Sequence, residues 1–394
     1  MIGISKLYCG TVEASDPLRY KRHSSKLPSH LLQFSKDKKP VVVWNCTKRC
    51  NLSCQHCYST SNCQPGKNEL TDKQAKNFID DIAKFGSPVL LFSGGEPLMR
   101  PGVLDLIEYA RVQGLRAVIS TNGTLITPEL AGKLKKIGLS YAGISLDGAT
   151  AEINDKFRGK TGAFDQVLAG IRNCVDAGVK VGLRFTINSH NAQDIDGIFD
   201  LIERENIPRV CFYHLVAAGR GTDIADQILP AIQTRHALDR IIARTEEAHK
   251  AGRKLEVLTV DNHADGAYLY LKLLEKDPSR AAEVLSLLQM NGGNSSGIGI
   301  GCVSWDGNVY PDQFWRNQCV GNIKDKPFSQ IWTAEETPLL PELRTRKSRL
   351  TGRCTKCKFL NICNGNLRVR SEISSNGIWG DDPSCYLTDE EISG

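Results

Sequence analysis

The chain has 394 residues, 41% of them hydrophobic and 24% charged, which suits one large domain plus a smaller one. Fifty Lys and Arg against 44 Asp and Glu leave a net charge of +6, too mild to indicate nucleic acid and compatible with a small anionic substrate. No stretch approaches about 18 uninterrupted apolar residues, and Lys6, Arg19, Lys21, Arg22 and Lys26 interrupt the start, so neither a membrane span nor a secretory signal is expected. Fourteen cysteines are few for so long a chain and fall in metal-like spacings, which predicts reduced thiols in the cytoplasm.

Residues 1–38 read as an N-terminal extension. From there to about residue 225, apolar runs alternate with amphipathic helical patterns. The strand-like runs are Val41–Trp44, Val89–Phe92, Leu115–Ile119, Tyr141–Ile144, Val179–Ile187 and Val210–Leu215. Helical patterns lie near 71–85, 102–113, 127–137, 162–177 and 193–204, with Thr71-Asp72 and Thr127-Pro128 as start signals. Six strand–helix units predict an α/β fold, a partial (β/α)6 barrel over 39–225 that stays open and works at the C-terminal ends of its strands. Residues 226–297 read as a helical segment closed by a flexible connector, Asn291–Gly297, and 298–394 as a separate cysteine-rich iron–sulfur module.

The motifs follow the strands. After the first comes C-x3-C-x2-C, with Cys50, Cys54 and Cys57. Three thiolates serve three irons of a cubane and leave the fourth open, whereas a cysteine zinc site usually closes all four positions. A zinc knuckle completed by His56 or Cys46 is the alternative. After the second strand, Gly94-Gly95-Glu96-Pro97 lets backbone approach a ligand and sets a carboxylate where it can accept from an ammonium. Ser120-Thr121-Asn122-Gly123 and Ser145-Leu146-Asp147-Gly148 place small polar groups after the third and fourth, and Arg158 and Arg184 could each meet a carboxylate. Taken singly, each turn is equally well explained as a helix cap or connection.

In that order, CNLSCQHC, GGEP, STNG and SLDG resemble the radical S-adenosylmethionine superfamily over residues 38–220, with His56 where an aromatic residue is usual. The resemblance implies that Cys50, Cys54 and Cys57 hold a [4Fe–4S] cluster whose open iron chelates S-adenosylmethionine. Gly94, Gly95, Glu96 and Pro97 would then receive the cofactor's amine, and Asn122, Ser145 and Asp147 its ribose or methionine part, with Arg184 a further contact. It also implies a low-potential electron donor as partner.

Cys354, Cys357, Cys363 and Cys385 form a second set, whose spacing alone fits zinc or a cluster. Joined to this barrel, it resembles the SPASM-type extension of the superfamily, which implies one auxiliary [4Fe–4S] cluster on these four. The ligands of a further cluster are mostly missing, Leu367 and Asp312 standing where two would fall; Cys302 and Cys319 are pocket residues or inert thiols. The N-terminal segments Met1–Gly10, His23–His30 and Lys38–Trp44 look like the radical enzymes that process tetrapyrrole side chains. That likeness implies loss of two acetate groups from 12,18-didecarboxysiroheme to give Fe-coproporphyrin III. The alternatives are modification of propionate side chains for haem d1, radical maturation of a peptide, or a non-catalytic electron-transfer protein. An anionic tetrapyrrole wants basic groups, for which Arg19, Lys21, Arg22, Arg220, Arg316 and Arg368 are candidates, and its iron a ligand such as His214, His30 or His263.

Overall fold

All six expected strands form, and they stand side by side in chain order. The computed structural model describes residues 1–12, 39–336, 338–374 and 377–393. Its elements begin with β1 (Ile2–Gly3), α1 (Ile4–Tyr8), β2 (Val41–Asn45), α2 (Asp72–Phe85), β3 (Val89–Ser93), α3 (Val103–Val112) and β4 (Arg116–Thr121). They continue with α4 (Pro128–Lys136), β5 (Tyr141–Ser145), α5 (Ala151–Arg158), α6 (Ala163–Asp176), β6 (Val181–Ile187), α7 (Ile195–Arg204) and β7 (Arg209–His214). Then come α8 (Ala231–Lys250), β8 (Glu256–Val260), α9 (Ala264–Lys276), α10 (Pro278–Asn291), β9 (Ile300–Val303), β10 (Asn308–Tyr310) and β11 (Gly321–Asn322). The start signals act as read: the Thr71 side chain caps α2 in a capping box with Gln74, and Thr127 caps α4 ahead of Pro128.

One sheet runs β1-β8-β7-β6-β5-β4-β3-β2-β9-β10-β11. Strands β2 to β8 are parallel neighbours, β9 joins β2 in parallel, and β1, β10 and β11 pair antiparallel at the two ends. The barrel therefore stays open. Alternation sorts the side chains: Trp44, Phe92, Ile119, Ile144, Phe185 and Phe212 join the core under the helices, while Val43 and Leu91 pack inward against Cys302 and Tyr310.

Two expectations change. The segment 226–297 supplies a seventh barrel strand, β8, from the β-branched run Glu256–Val260, so it is not purely helical. Nor is Asn291–Gly297 a flexible connector: Asn294 and Ser296 are buried, and the buried Arg346 guanidinium donates to the Asn294 side chain at 2.6 Å and to the Ser296 carbonyl. The cysteine-rich region, expected as a separate module, starts inside the barrel sheet through β9, with Val43 opposite Cys302. Among the described residues, no helix is long and apolar enough to cross a membrane.

Candidate functional site

The first cysteine loop leaves β2 at Cys46 and is clamped from three sides. The Cys50 amide donates to Asn62 at 2.7 Å, the Gln55 amide to Phe157 at 3.0 Å, and Arg220 donates through Nε to the Cys54 carbonyl at 3.0 Å and through Nη1 to Ser61 at 2.6 Å. Cys50 and Cys54 are buried with Leu52 and Ala163, and Cys57 packs against them. Donors surround the sulfurs: the Leu52 amide lies 3.4 Å from Cys50 Sγ, Arg158 Nη1 3.7 Å from Cys54 Sγ, and the Ser59 hydroxyl 3.4 Å from Cys57 Sγ.

The glycines of the next turn seat it on the cysteine loop. The Gly95 amide donates to the Thr47 carbonyl at 2.7 Å and the Glu96 amide to Arg49 at 2.8 Å. A Cβ on Gly95 would sit 2.3 Å from the Arg49 oxygen, and one on Gly94, at φ +144°, 2.5 Å from the Thr47 oxygen. Two backbones lie in contact here, and only glycine lets the turn press on the cysteine loop. Glu96 is fully buried, and its carboxylate is already engaged: Oε1 accepts from Thr121 Oγ1 at 2.7 Å and the Leu98 amide at 3.1 Å, Oε2 from the Asn122 amide at 2.8 Å. Burial pushes its pKa up to about 7, with those donors pulling the other way. Pro97 opens the short turn that follows.

Asp147 is likewise committed. It is fully buried, accepts from the Thr186 amide at 2.6 Å and pairs with Arg158 Nη2 at 2.5 Å. Arg158 thus meets a carboxylate as expected, though the protein's own, and with its other nitrogen faces Cys54. His56 stacks flat on Phe157, ring centroids 4.5 Å apart and planes at 5°, and burial lowers its pKa to about 4. A neutral flat ring does here what an aromatic side chain would do. Asn122 donates to Asn51 at 2.8 Å and points the same amide nitrogen at Cys50 Sγ, 4.0 Å away.

Ser145 and Arg184 are opposite each other on β5 and β6, half-buried. The Arg184 guanidinium donates to the Ser120 hydroxyl and faces the Tyr213 ring at 5.9 Å, over Gly143, where a Cβ would be 2.4 Å from Nε. Sequence reading missed this pairing, although a glycine inside a strand is its visible sign. Also missed was Tyr58, next to Cys57, whose hydroxyl donates to Asn45 at 3.0 Å.

The second set gathers at the other end of the chain. Cys354, Cys357, Cys363 and Cys385 are each half-buried, and Cys363 is pushed well above the usual thiol range by burial and then by Cys385, Cys354 and Cys357 beside it. Cys50 is similarly pushed to about 12, by burial first and more weakly by Glu96, Cys54 and Cys57. The donor chemistry, thiols alone on neighbouring turns, fits iron–sulfur ligation, in which the metal would hold each sulfur as thiolate. Among the described residues no three His, Cys, Asp or Glu side chains close on a single-ion position. Leu367 and Asp312 do not complete a further cluster: Leu367 is buried in an apolar cluster, and Asp312 accepts from Ser296, Phe314 and Trp315. Cys302 is buried and Cys319 exposed.

The substrate candidates divide. His30, Arg19, Lys21 and Arg22 lie outside the described residues. His263 is buried, 3.5 Å from the terminal amine, and held neutral by that burial. His214 ends β7 with Nε2 2.9 Å from Asp265, itself bonded to the Tyr386 hydroxyl at 2.8 Å. Arg368 is consumed by the carbonyls of Gly365, Ile378 and Gly380, and Arg220 by the cysteine loop. Arg316 is half-buried, its guanidinium 4.8 Å from the Trp305 ring and 5.0 Å from that of Tyr310, the latter lining the barrel's inner face.

Comparison with known proteins agrees with this geometry. The family profile "Radical SAM superfamily" matches residues 44–202, and "Iron-sulfur cluster-binding domain" matches residues 300–358. The chain is 61% identical over 395 residues to the Fe-coproporphyrin III synthase of Methanosarcina barkeri, covering 100% of this chain and 99% of that one. It is 41% identical over 355 residues to the pre-heme d1 synthase of Dinoroseobacter shibae, covering 90% and 87%. Among solved structures, Streptococcus suis SuiB bound to precursor peptide SuiA matches with a TM-score of 0.72 at 18% identity, over 91% of this chain and 79% of that one. At that identity the likeness is one of fold.

Proposed function

Because the chain belongs to the radical S-adenosylmethionine superfamily and carries its iron–sulfur extension, we propose that it removes two acetate side chains from 12,18-didecarboxysiroheme to give Fe-coproporphyrin III. The observation that carries this reading is the 61% identity to an Fe-coproporphyrin III synthase along the entire chain. It is an enzyme of haem biosynthesis that uses S-adenosylmethionine, a [4Fe–4S] cluster and an auxiliary cluster. In this reading it works in the cytoplasm, with a low-potential electron donor and no nucleic acid. Cys50, Cys54 and Cys57 hold the catalytic cluster, and Cys354, Cys357, Cys363 and Cys385 the auxiliary one.

When bound, the reduced cluster and S-adenosylmethionine supply a 5'-deoxyadenosyl radical able to take hydrogen from an unactivated C–H bond. The chain's own residues set the stage for it. Gly94 and Gly95 hold the second turn against the cysteine loop, and Glu96 ties that turn to Thr121 and Asn122 on the third. Asp147 fixes Arg158, which turns a positive charge toward Cys54 and favours its thiolate. Glu96 and Asp147 therefore act as a frame, and Asn122 at the cluster loop, Ser145 and Arg184 are left to contact the cofactor. Arg316 faces the anionic tetrapyrrole, and His214, steadied by Asp265, is the iron ligand candidate that remains among the described histidines.

Anaerobic reconstitution, followed by incubation with 12,18-didecarboxysiroheme, S-adenosylmethionine and dithionite, tests the reading by mass analysis of the tetrapyrrole. Loss of two acetate groups is expected. Unchanged tetrapyrrole alongside continued 5'-deoxyadenosine release contradicts it.

A further inference from the structure

Residues 344–358 contain seven cations, Arg344, Arg346, Lys347, Arg349, Arg353, Lys356 and Lys358, and no anion. Within a chain of net charge +6, this run of 15 residues has no counter-charge of its own. Four of the seven have partners within the chain besides Glu342: Arg346 is buried on Asn294 and Ser296, Arg353 pairs with Asp389 at 2.7 Å, Arg344 donates to the Trp332 carbonyl and Lys347 to Asn361 at 2.9 Å. Arg344, Lys347, Arg349, Lys356 and Lys358 are exposed. The acids nearby answer them only in part: Glu342 meets Arg349 at 3.2 Å, Glu391 is spent mainly on Arg235, and Asp381 lies against Gly352, with Asp389 and Glu390 exposed on the helix that packs beside it.

A charge run is usually a solvated face, but this one brackets Cys354 and Cys357. Those two cysteines are half-buried, while Cys50 and Cys54 of the other set are enclosed by barrel turns. We propose that this cationic face is the docking surface for an acidic one-electron carrier protein, and that electrons enter the enzyme beside the auxiliary thiols. The inference rests on the assignment of the second cysteine set to a cluster. Docking there brings the carrier's redox centre to the more exposed of the two sets, and complementary charge steers its approach. In the exchange the carrier is oxidised by one electron and the enzyme reduced by one, with no proton moved and no bond made.

The test uses reconstituted holoenzyme and an acidic flavodoxin as the probe. Lys347→Glu, Lys356→Glu and Lys358→Glu together should weaken flavodoxin binding on the order of tenfold at low ionic strength, with the gap closing as salt is raised. Reduction of the enzyme by reduced flavodoxin should slow in parallel, while dithionite-driven 5'-deoxyadenosine release stays as in the parent. The matched control reverses three exposed lysines of α4, Lys133, Lys135 and Lys136, and should bind like the parent. Unchanged binding in the first variant, or equal weakening in the control, overturns the proposal. Iron content of the same samples separates the two ideas: parent protein holding half the iron of two cubanes fails the cluster assignment, whatever flavodoxin does.

Discussion

The two cysteine sets use one ligand chemistry in opposite settings. Cys50, Cys54 and Cys57 come from a single loop and are shut in by the turns that follow β3, β4 and β5 and by α5. Cys354, Cys357, Cys363 and Cys385 come from separate short segments and stay half-buried, the first two within a cationic run and Cys385 in an acidic stretch with Asp381, Asp382 and Asp389. The first set has three thiols and borders the polar turns after β3, β4 and β5; the second has four thiols, with Asn364, Asn366 and Asp382 in the turns beside them. In the proposed reading ligand number goes with position: the three-cysteine loop follows β2 at the C-terminal ends of the barrel strands, and the four-cysteine set lies beyond β11.

Substitutions that press on the first setting sharpen this contrast. Gly95→Ala should have the largest effect, because its methyl group would meet the Arg49 carbonyl and push the cysteine loop away. The expected outcome is loss of about half the bound iron and of all S-adenosylmethionine cleavage, read by iron analysis and 5'-deoxyadenosine assay. Next, Arg158→Met leaves Asp147 buried without its partner and should cost about 3–5 kcal/mol in denaturant unfolding of the cluster-free protein. Retained stability would show that the pair does not hold the α5 end to the barrel.

Glu96 gives a pH signature. Its pKa is raised from 4.5 to about 7 in the folded protein, so its contribution is fully present below the unfolded value and is lost as pH rises through about 7. Relative to Glu96→Gln, the parent should lose on the order of 3 kcal/mol of stability between about pH 4.5 and 7.5. Parallel unfolding curves at both pH values would contradict the burial argument. The smallest effect belongs to His56→Phe. The stacked neutral ring is replaced by another flat ring, and a change under about 1 kcal/mol with full iron content is expected.

Much of this was legible from particular residues. Thr71, Thr127 and the six apolar runs marked the helix starts and strands because capping and alternation are local. The strand Glu256–Val260 was hidden between two long helices, and its pairing with β7 and β1 is decided by distant chain. The polar turns were found, but not what each does. That Glu96 and Asp147 are consumed within the protein, while Arg184 projects over Gly143, depends on which side chains tertiary packing brings within 3 Å. Arg158 was legible as a carboxylate partner; that the carboxylate is Asp147 and that its other nitrogen serves Cys54 was not. Motif order picked out the candidate residues, and packing separates those engaged within the protein, such as Glu96 and Asp147, from the half-buried Ser145 and Arg184.

The central claim, one open and one closed cluster in a single chain, is tested most directly by electron paramagnetic resonance of the reduced protein with and without S-adenosylmethionine. In Cys363→Ala, the remaining signal should shift when the cofactor is added, because the cluster on Cys50, Cys54 and Cys57 has an open iron. In Cys54→Ala, the remaining signal should be indifferent to it. A cofactor-sensitive signal in Cys54→Ala, or an insensitive one in Cys363→Ala, would contradict the account.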